Sequence, residues 1–384
     1  GRLVPGASAF PVINPSTGKA FAEAPSCSKE QLDEAVQAAQ AAFPAWSAAG
    51  LATRKEAMLA AAGRVSTEMN NLSDLLVKEQ GKPLASAKGE IAGVVHFMTQ
   101  IARRNYAFET VLADNDRETV ICKAVPLGVV GGITPWNFPP LMAAWKMAEA
   151  LMTANTIVLK PSPHTPLTTL VLGEILADAF PPGVLNVVSG GDEVGRWISE
   201  HPGVAKISFT GSTRTGKAIQ KASSDNLKRL TLELGGNDAA IILDDADPKA
   251  AARGVFQQAM ANSGQICVSI KRLYVHETKY DEVLRELVAL ARAAKVGDGF
   301  ERGVQYGPIN NEMQFERVKD LVDDAKRSGA TVHTGGEPLA REGYFYPPTI
   351  LSGVAEGVRV VDEEQFGPVL PVLRFADTSE AIRR

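Results

Sequence analysis

The chain has 384 residues, 45% hydrophobic and 22% charged, with a formal net charge of −4; that length exceeds one core, so two or three domains are expected. The mild acid excess and the lack of a basic stripe exclude a nucleic-acid surface, and the pairs Arg103-Arg104 and Lys271-Arg272 read as solvated faces. Three scattered cysteines, Cys27, Cys122 and Cys267, exclude a disulfide framework and fit a reducing compartment.

The start, Gly1-Arg2-Leu3-Val4-Pro5, has no secretory-signal pattern, and no stretch approaches the roughly 18 apolar residues of a membrane span. Five dispersed histidines offer no ligand spacing, so no metal is expected. A cytoplasmic protein is the expectation. Ser28-Lys29-Glu30-Gln31 has the form of a capping box and opens a helix from Glu30 to Ala49. Helical periodicity continues over 52–67 and 72–80, breaks at Gly81-Lys82-Pro83, and returns from Ala85 to about Leu112.

From Val120 the period changes. Val120 to Val125 alternates, and Gly128-Val129-Val130-Gly131-Gly132-Ile133 is a buried-strand run. Strands and helices then alternate: strand 156–160 and helix 166–179, strand 185–188 and helix 193–200, strand 205–209 and helix 213–221. That alternation predicts a doubly wound parallel sheet. A second α/β pattern begins near Gly235, with strands at 240–243 and 272–275 and helices at 248–263 and 280–293. A strand at 370–375 leads into a helix that starts at Thr378, and further chain is expected beyond Arg384.

Cys267 is the candidate nucleophile, in Asn262-Ser263-Gly264-Gln265-Ile266-Cys267, and Glu233 lies 267 − 233 = 34 residues upstream in Leu232-Glu233-Leu234-Gly235-Gly236. A thiol and a carboxylate, each beside glycines, suit a nucleophile and its water-activating base. Alone, each also fits a bland role, as a small buried hydrophobe and a strand-end charge. Asn137, locked between Pro135 and Pro139, offers a fixed amide donor of the kind an oxyanion hole needs, or else marks a helix entry. Phe209 to Gly216 is a glycine turn after a strand, suited to phosphate. It approaches a triphosphate loop at Gly216-Lys217, but Ala218 stands where a Mg²⁺-binding hydroxyl is required.

Six segments stand in order: Pro135-Trp136-Asn137-Phe138-Pro139, Lys160-Pro161-Ser162, Phe209-Thr210-Gly211-Ser212-Thr213, Leu232-Glu233-Leu234-Gly235-Gly236, Gly264-Gln265-Ile266-Cys267 and Glu364-Gln365-Phe366-Gly367-Pro368. Together they resemble the motif series of the aldehyde dehydrogenase superfamily over essentially the whole chain. The resemblance implies an α/β fold with a doubly wound cofactor domain (1–117 and 127–234), a small protruding strand element (118–126) that joins subunits, and a second α/β catalytic domain (235–384). It implies oxidation of an aldehyde to an acid, with Cys267 as nucleophile, Glu233 as base and the Asn137 amide with the Cys267 N–H as oxyanion donors. Lys160 would reach the adenosine ribose, Gly211 and Ser212 the pyrophosphate, and Glu364 with Phe366 the nicotinamide ribose. Ile133, Thr134, Pro135, Trp136, Ser162, Gly191, Phe209 and Leu234 complete the implied cofactor contacts.

Two departures stand out. Pro163 occupies the position where much of the family has a ribose-binding Glu, so NADP is possible although NAD is favoured. The family's C-terminal strand and its glycine-rich loop would lie beyond Arg384. Phe138, Met142, Trp145, Ile266 and Val268 are the implied substrate pocket, and with no Arg among them an apolar or aromatic aldehyde is expected. A homodimer or homotetramer is implied. The alternatives are a coenzyme-A-acylating relative, disfavoured by Glu233, and a non-catalytic nucleotide-binding protein on the same scaffold, disfavoured by Cys267, Glu233 and Asn137 together.

Overall fold

The computed structural model describes residues 2–384, in two compact units. Among the described residues the first comprises 2–10, 23–72 and 88–233; the second comprises 11–22, 73–87 and 234–384. Strands β1 (Ser8–Asn14) and β2 (Lys19–Ser26) pair as a two-stranded sheet. Helices α1 (Lys29–Ala48), α2 (Leu51–Thr67), α3 (Met69–Gln80) and α4 (Leu84–Arg103) follow. The capping box is formed: Ser28 Oγ accepts from Gln31 N at 3.2 Å while Gln31 Oε1 accepts from Ser28 N at 3.0 Å.

The helix expected to reach Leu112 stops at Arg103. Residues Glu109–Asp114 form β3, antiparallel to β4 (Thr119–Lys123). Asn115 ends β3 by accepting at Oδ1 from Arg117 N (2.9 Å) and Glu118 N (3.3 Å), an Asx-type turn that competes with helix. Val111, Leu112, Val120 and Ile121 on this hairpin are exposed.

In the first unit, β5 (Val129–Ile133), α5 (Pro139–Met152), β6 (Thr156–Lys160), α6 (Leu167–Ile175), β7 (Leu185–Val187), α7 (Asp192–Glu200), β8 (Lys206–Thr210), α8 (Thr213–Ala222) and β9 (Arg229–Glu233) build a parallel sheet of order β7-β6-β5-β8-β9. Every residue of β5 and β6 is buried, as a central strand covered on both faces must be. The strand order reverses between β5 and β8, a topological switch point at whose carboxyl ends an open α/β sheet binds ligands.

The second unit holds β10 (Asp238–Ile242), α9 (Pro248–Met260), β11 (Ile270–His276), α10 (Tyr280–Ala293), α11 (Glu312–Arg327), β12 (Thr331–Thr334), β13 (Thr349–Ser352), α12 (Arg359–Asp362), β14 (Val369–Phe375) and α13 (Thr378–Arg383). Its sheet runs β10-β11-β14-β13-β12, parallel except for antiparallel β12 at the edge. Leu273, Val275, Val283, Leu287, Ile350 and Leu370 are fully buried in one core cluster, and Val318, Val322, Leu351 and Leu373 in another. Lys271, expected on a solvated face, is 1% exposed. Its β11 neighbours face the core, and its ammonium is satisfied from the preceding loop. Among the described residues no helix is long and apolar enough to cross a membrane.

Candidate active site

The expected residues divide between the two units. In the first, they gather at the carboxyl ends of the parallel strands. Register aligns Ile133 with Lys160 on one side and with Phe209 on the other, and Thr210 with Glu233. Thr134 continues β5, its N–H donating to Lys160 O at 3.0 Å, while its buried Oγ1 has no partner. Lys160 is 3% exposed, and its ammonium donates to Pro161 O at 3.1 Å. Burial pushes that ammonium down to about 8, against the pull of Asp192, Glu193 and Cys27.

Beyond β8, Ser212 caps α8, its Oγ accepting from Thr215 N at 3.2 Å. A Cβ on Gly211 would meet the Phe209 ring at 2.5 Å, so glycine is required by close approach. Gly191 caps α7 at the end of the β7 loop. Ser162 is buried in the loop after β6, where its Oγ accepts from His164 N at 3.3 Å; Pro163 follows it.

After Thr134 the chain turns through Pro135 and Trp136 to Asn137, which is 6% exposed. Pro139 and Pro140 open α5, where missing N–H groups cost nothing. Asn137 Oδ1 accepts from Phe138 N at 3.1 Å, which fixes the amide with Nδ2 as its donating end. Phe138 and Met142 are partly buried, and Trp145 is 43% exposed with its ring 5.8 Å from Phe97.

In the second unit the expected residues sit at the amino ends of the strands. Leu234, Gly235 and Gly236 lead into β10, Ile266, Cys267 and Val268 into β11, and Glu364 and Phe366 into β14. The thiol is half-buried and Val268 is 74% exposed. Ahead of the thiol, Asn262, Ser263 and Gly264 have φ of 49°, 56° and 74°. Left-handed backbone costs a non-glycine residue roughly 1–2 kcal/mol, so the surroundings must hold this turn. Ser263 Oγ donates to Gly307 O at 2.8 Å, Gln265 Nε2 to Asn262 O at 2.8 Å, and Asn310 N to Gln265 Oε1 at 2.9 Å.

Phe366 has φ of 48° and is restrained alike, Gln314 Nε2 donating to Gln365 O at 2.8 Å and Phe366 O at 3.1 Å. The two segments meet at their backbones, because a Cβ on Gly264 would overlap the Gly367 carbonyl. Glu364 is held above the usual carboxylate range by burial, opposed by Lys271, a Gly236 backbone hydrogen bond and Arg317. Its Oε1 is buried without a partner, and Oε2 lies where a Gly235 Cβ would be. In the first unit, a buried ammonium with one carbonyl acceptor and a glycine turn at a helix start fit ribose hydroxyls and phosphates; in the second, a buried carboxylate oxygen without a protein donor fits a hydroxyl.

Lys146 in α5 was not anticipated. It is 7% exposed and donates to Thr210 Oγ1 at 2.7 Å and Ser208 Oγ at 3.4 Å. Burial pushes it down to about 8, against the charges of Glu233 and Glu149. The signal was present: Ala143, Lys146 and Met147 share the buried helix face at spacings of three and four.

A model of the aldehyde dehydrogenase family matches residues 4–384. A probable NADP-dependent succinate-semialdehyde dehydrogenase of Sinorhizobium fredii is 40% identical over 97% of this chain and 77% of its own length. Retinaldehyde dehydrogenase 3 of Homo sapiens is 39% identical over 98% of this chain and 75% of its own. The structure of a Bacillus cereus aldehyde dehydrogenase with NAD⁺ superposes with a TM-score of 0.96 at 37% identity, covering 100% of this chain and 80% of the other.

Proposed function

The chain belongs to the aldehyde dehydrogenase family and is an NAD(P)-dependent oxidoreductase acting on aldehydes; from that premise we propose the residues and steps by which it works. The observation that carries the reading is the strained turn over 262–264, which ends in a half-buried thiol and is held by a buried polar frame. Strain of this kind concentrates at functional sites.

Cys267, as thiolate, adds its sulfur to the aldehyde carbon, and the carbonyl electrons move to oxygen. The Asn137 amide and the Cys267 N–H donate to that oxygen. A nicotinamide cofactor, when bound, would accept the hydride that leaves the former aldehyde carbon as the oxyanion re-forms its C=O bond and leaves a thioester. Glu233 takes a proton from a water whose oxygen adds to the resulting thioester carbon; the C–S bond breaks, the acid leaves and sulfur returns as thiolate. Lys160 would hold the adenosine ribose, Gly211 and Ser212 the pyrophosphate, and Glu364 and Phe366 the nicotinamide ribose, with Ser162, Gly191 and Leu234 as further cofactor contacts. Ile133, Thr134, Pro135, Trp136 and Phe209 line the same strand ends. The first unit is thus the dinucleotide-binding part, and the second carries the nucleophile. NAD is the preferred cofactor, with NADP admitted because Pro163 offers no carboxylate to repel a 2′-phosphate.

The relatives' names span a carboxylate-bearing and an apolar aldehyde. This chain's exposed Trp145 and Val268, with Phe138, Met142 and Ile266, favour an apolar or aromatic one. The exposed apolar hairpin β3–β4 joins subunits into a homodimer or homotetramer. The test is reduced-cofactor formation with an aldehyde panel, run with NAD and NADP, for wild type and Cys267→Ala. Turnover lost in the variant supports the nucleophile; turnover that survives it sinks the mechanism.

A further inference from the structure

Lys271 stands on β11, four residues after the thiol, and no step above uses it. Its Nζ donates to Ile266 O at 2.7 Å and Gly264 O at 2.9 Å, the two carbonyls that bracket Gln265 in the loop leading to Cys267. Its own carbonyl accepts from Gln365 Nε2 at 3.2 Å, and its ammonium lies 5.2 Å from the Phe366 ring centroid. One residue therefore ties the thiol loop, by its side chain, and the Glu364-to-Phe366 segment, by its backbone, to the same strand.

The cost of this arrangement argues against a neutral packing role. A lysine 1% exposed in a sheet carries a large desolvation penalty that a leucine would avoid. The charges bearing on it are Glu364, Cys267 and Asp238, from three different segments, and all three favour its protonated form. Burial outweighs them and holds the ammonium at about 8. An ammonium held by two carbonyls of the loop that leads to the thiol fixes that loop's direction.

We propose that Lys271 is a positioning residue for Cys267, clamping the carbonyls of Gly264 and Ile266 so that the sulfur is presented to substrate. The proposal rests on the reading of Cys267 as the nucleophile. Its test does not depend on turnover. The rate of Cys267 alkylation by iodoacetamide is followed from pH 6 to 9.5 by peptide mass spectrometry, which separates Cys267 from Cys27 and Cys122. Wild type is compared with Lys271→Met, which removes donors and charge, and Lys271→Gln, which keeps N–H donors without charge.

In the Met variant, alkylation should slow about tenfold across the pH range, because the loop no longer presents the sulfur. The Gln variant, which keeps N–H donors for the two carbonyls, should lose less of the rate. In both, kcat should fall with alkylation, whereas the Kd for NAD, read by fluorescence titration, should change less than about threefold. A wild-type rate in the folded Met variant overturns the proposal. If neither variant folds, Lys271 belongs to the stability of the unit and the proposal also fails. Wild-type enzyme that keeps its turnover after complete alkylation of Cys267 would refute the nucleophile itself, whatever Lys271 does.

Discussion

Gly264→Ala is a one-methyl perturbation aimed at the thiol loop. At φ of 74° an alanine is left-handed, which costs roughly 1–2 kcal/mol. Its Cβ would fall within 3.0 Å of Gly367 O and C and reach Pro368 N at 3.0 Å, all backbone atoms that no rotamer change can move aside. Overpacking of this sort costs about 1–3 kcal/mol more. For a domain of roughly 150–250 residues each kcal/mol shifts Tm by about 2–4 °C, so a fall of about 10 °C is expected by scanning fluorimetry. Relief requires either the Cys267 loop or the Gly367 segment to retreat, and a displacement near 1 Å at a reacting group costs on the order of a hundredfold in rate. Steady-state turnover should therefore drop well beyond what residual unfolding at 25 °C explains. Gly254→Ala is the control: it lies inside α9 with nothing within 4 Å of its would-be Cβ, and should gain about 0.5–1 kcal/mol. Wild-type Tm and turnover in Gly264→Ala would refute the reasoning.

Glu233→Gln should abolish steady-state turnover yet leave a burst of reduced cofactor close to one per site in stopped-flow absorbance, because only the water step is blocked; no burst would remove Glu233 from the role of base. Lys160, ordinarily charged to well above pH 10, loses its proton near pH 8 in the folded protein, so its help to the cofactor is present below that pH and lost above it. Kd for NADP should then weaken several-fold from pH 7 to 9 and that of NAD less, with Lys160→Met flat in pH; a variant that keeps the wild-type pH dependence would contradict this. Ile121→Asp, an exposed position on β4, should shift the sedimentation coefficient of the full-length protein toward a smaller species without altering Tm by more than a few degrees; an unchanged assembly would clear the hairpin of that role.

The parallel core of the first unit was legible because central strands announce themselves as unbroken apolar runs, as Val129 to Ile133 and Thr156 to Lys160 do. The capping box before α1 is equally local, and it is formed as read. What failed was non-local. Glu109 to Leu112 extends a helical composition, and only pairing with Thr119–Lys123 and the Asn115 turn make it part of a strand. Lys271-Arg272 has the look of a solvated pair, yet the acceptors that permit Lys271 to be buried lie in the folded-back loop at Gly264 and Ile266. Helix α11 has a readable stripe, Val318, Leu321, Val322 and Ala325, that the sequence reading passed over among its many charges. Cys267 and Glu364 stood out as motif residues, but the left-handed backbone at Ser263 and Phe366 has no local signature, and Asn262 carries only its type's tolerance of that region.

The second unit draws on chain from 11–22, 73–87 and 234–384, and this sets an order of events at the ribosome. Pro15 O receives Tyr344 N at 2.9 Å, Leu84 N reaches Gly299 O at 2.9 Å, and Asn310 Nδ2 reaches Glu79 O at 3.0 Å across 231 residues. At about 5–20 residues per second, the early pieces wait roughly ten seconds to a minute for partners not yet synthesised. The parallel strands of the first unit are complete by Glu233 and can close meanwhile. Nascent chains stalled between residues 233 and 299 are thus expected to carry a folded first unit beside unsatisfied early segments, the species on which a chaperone would act.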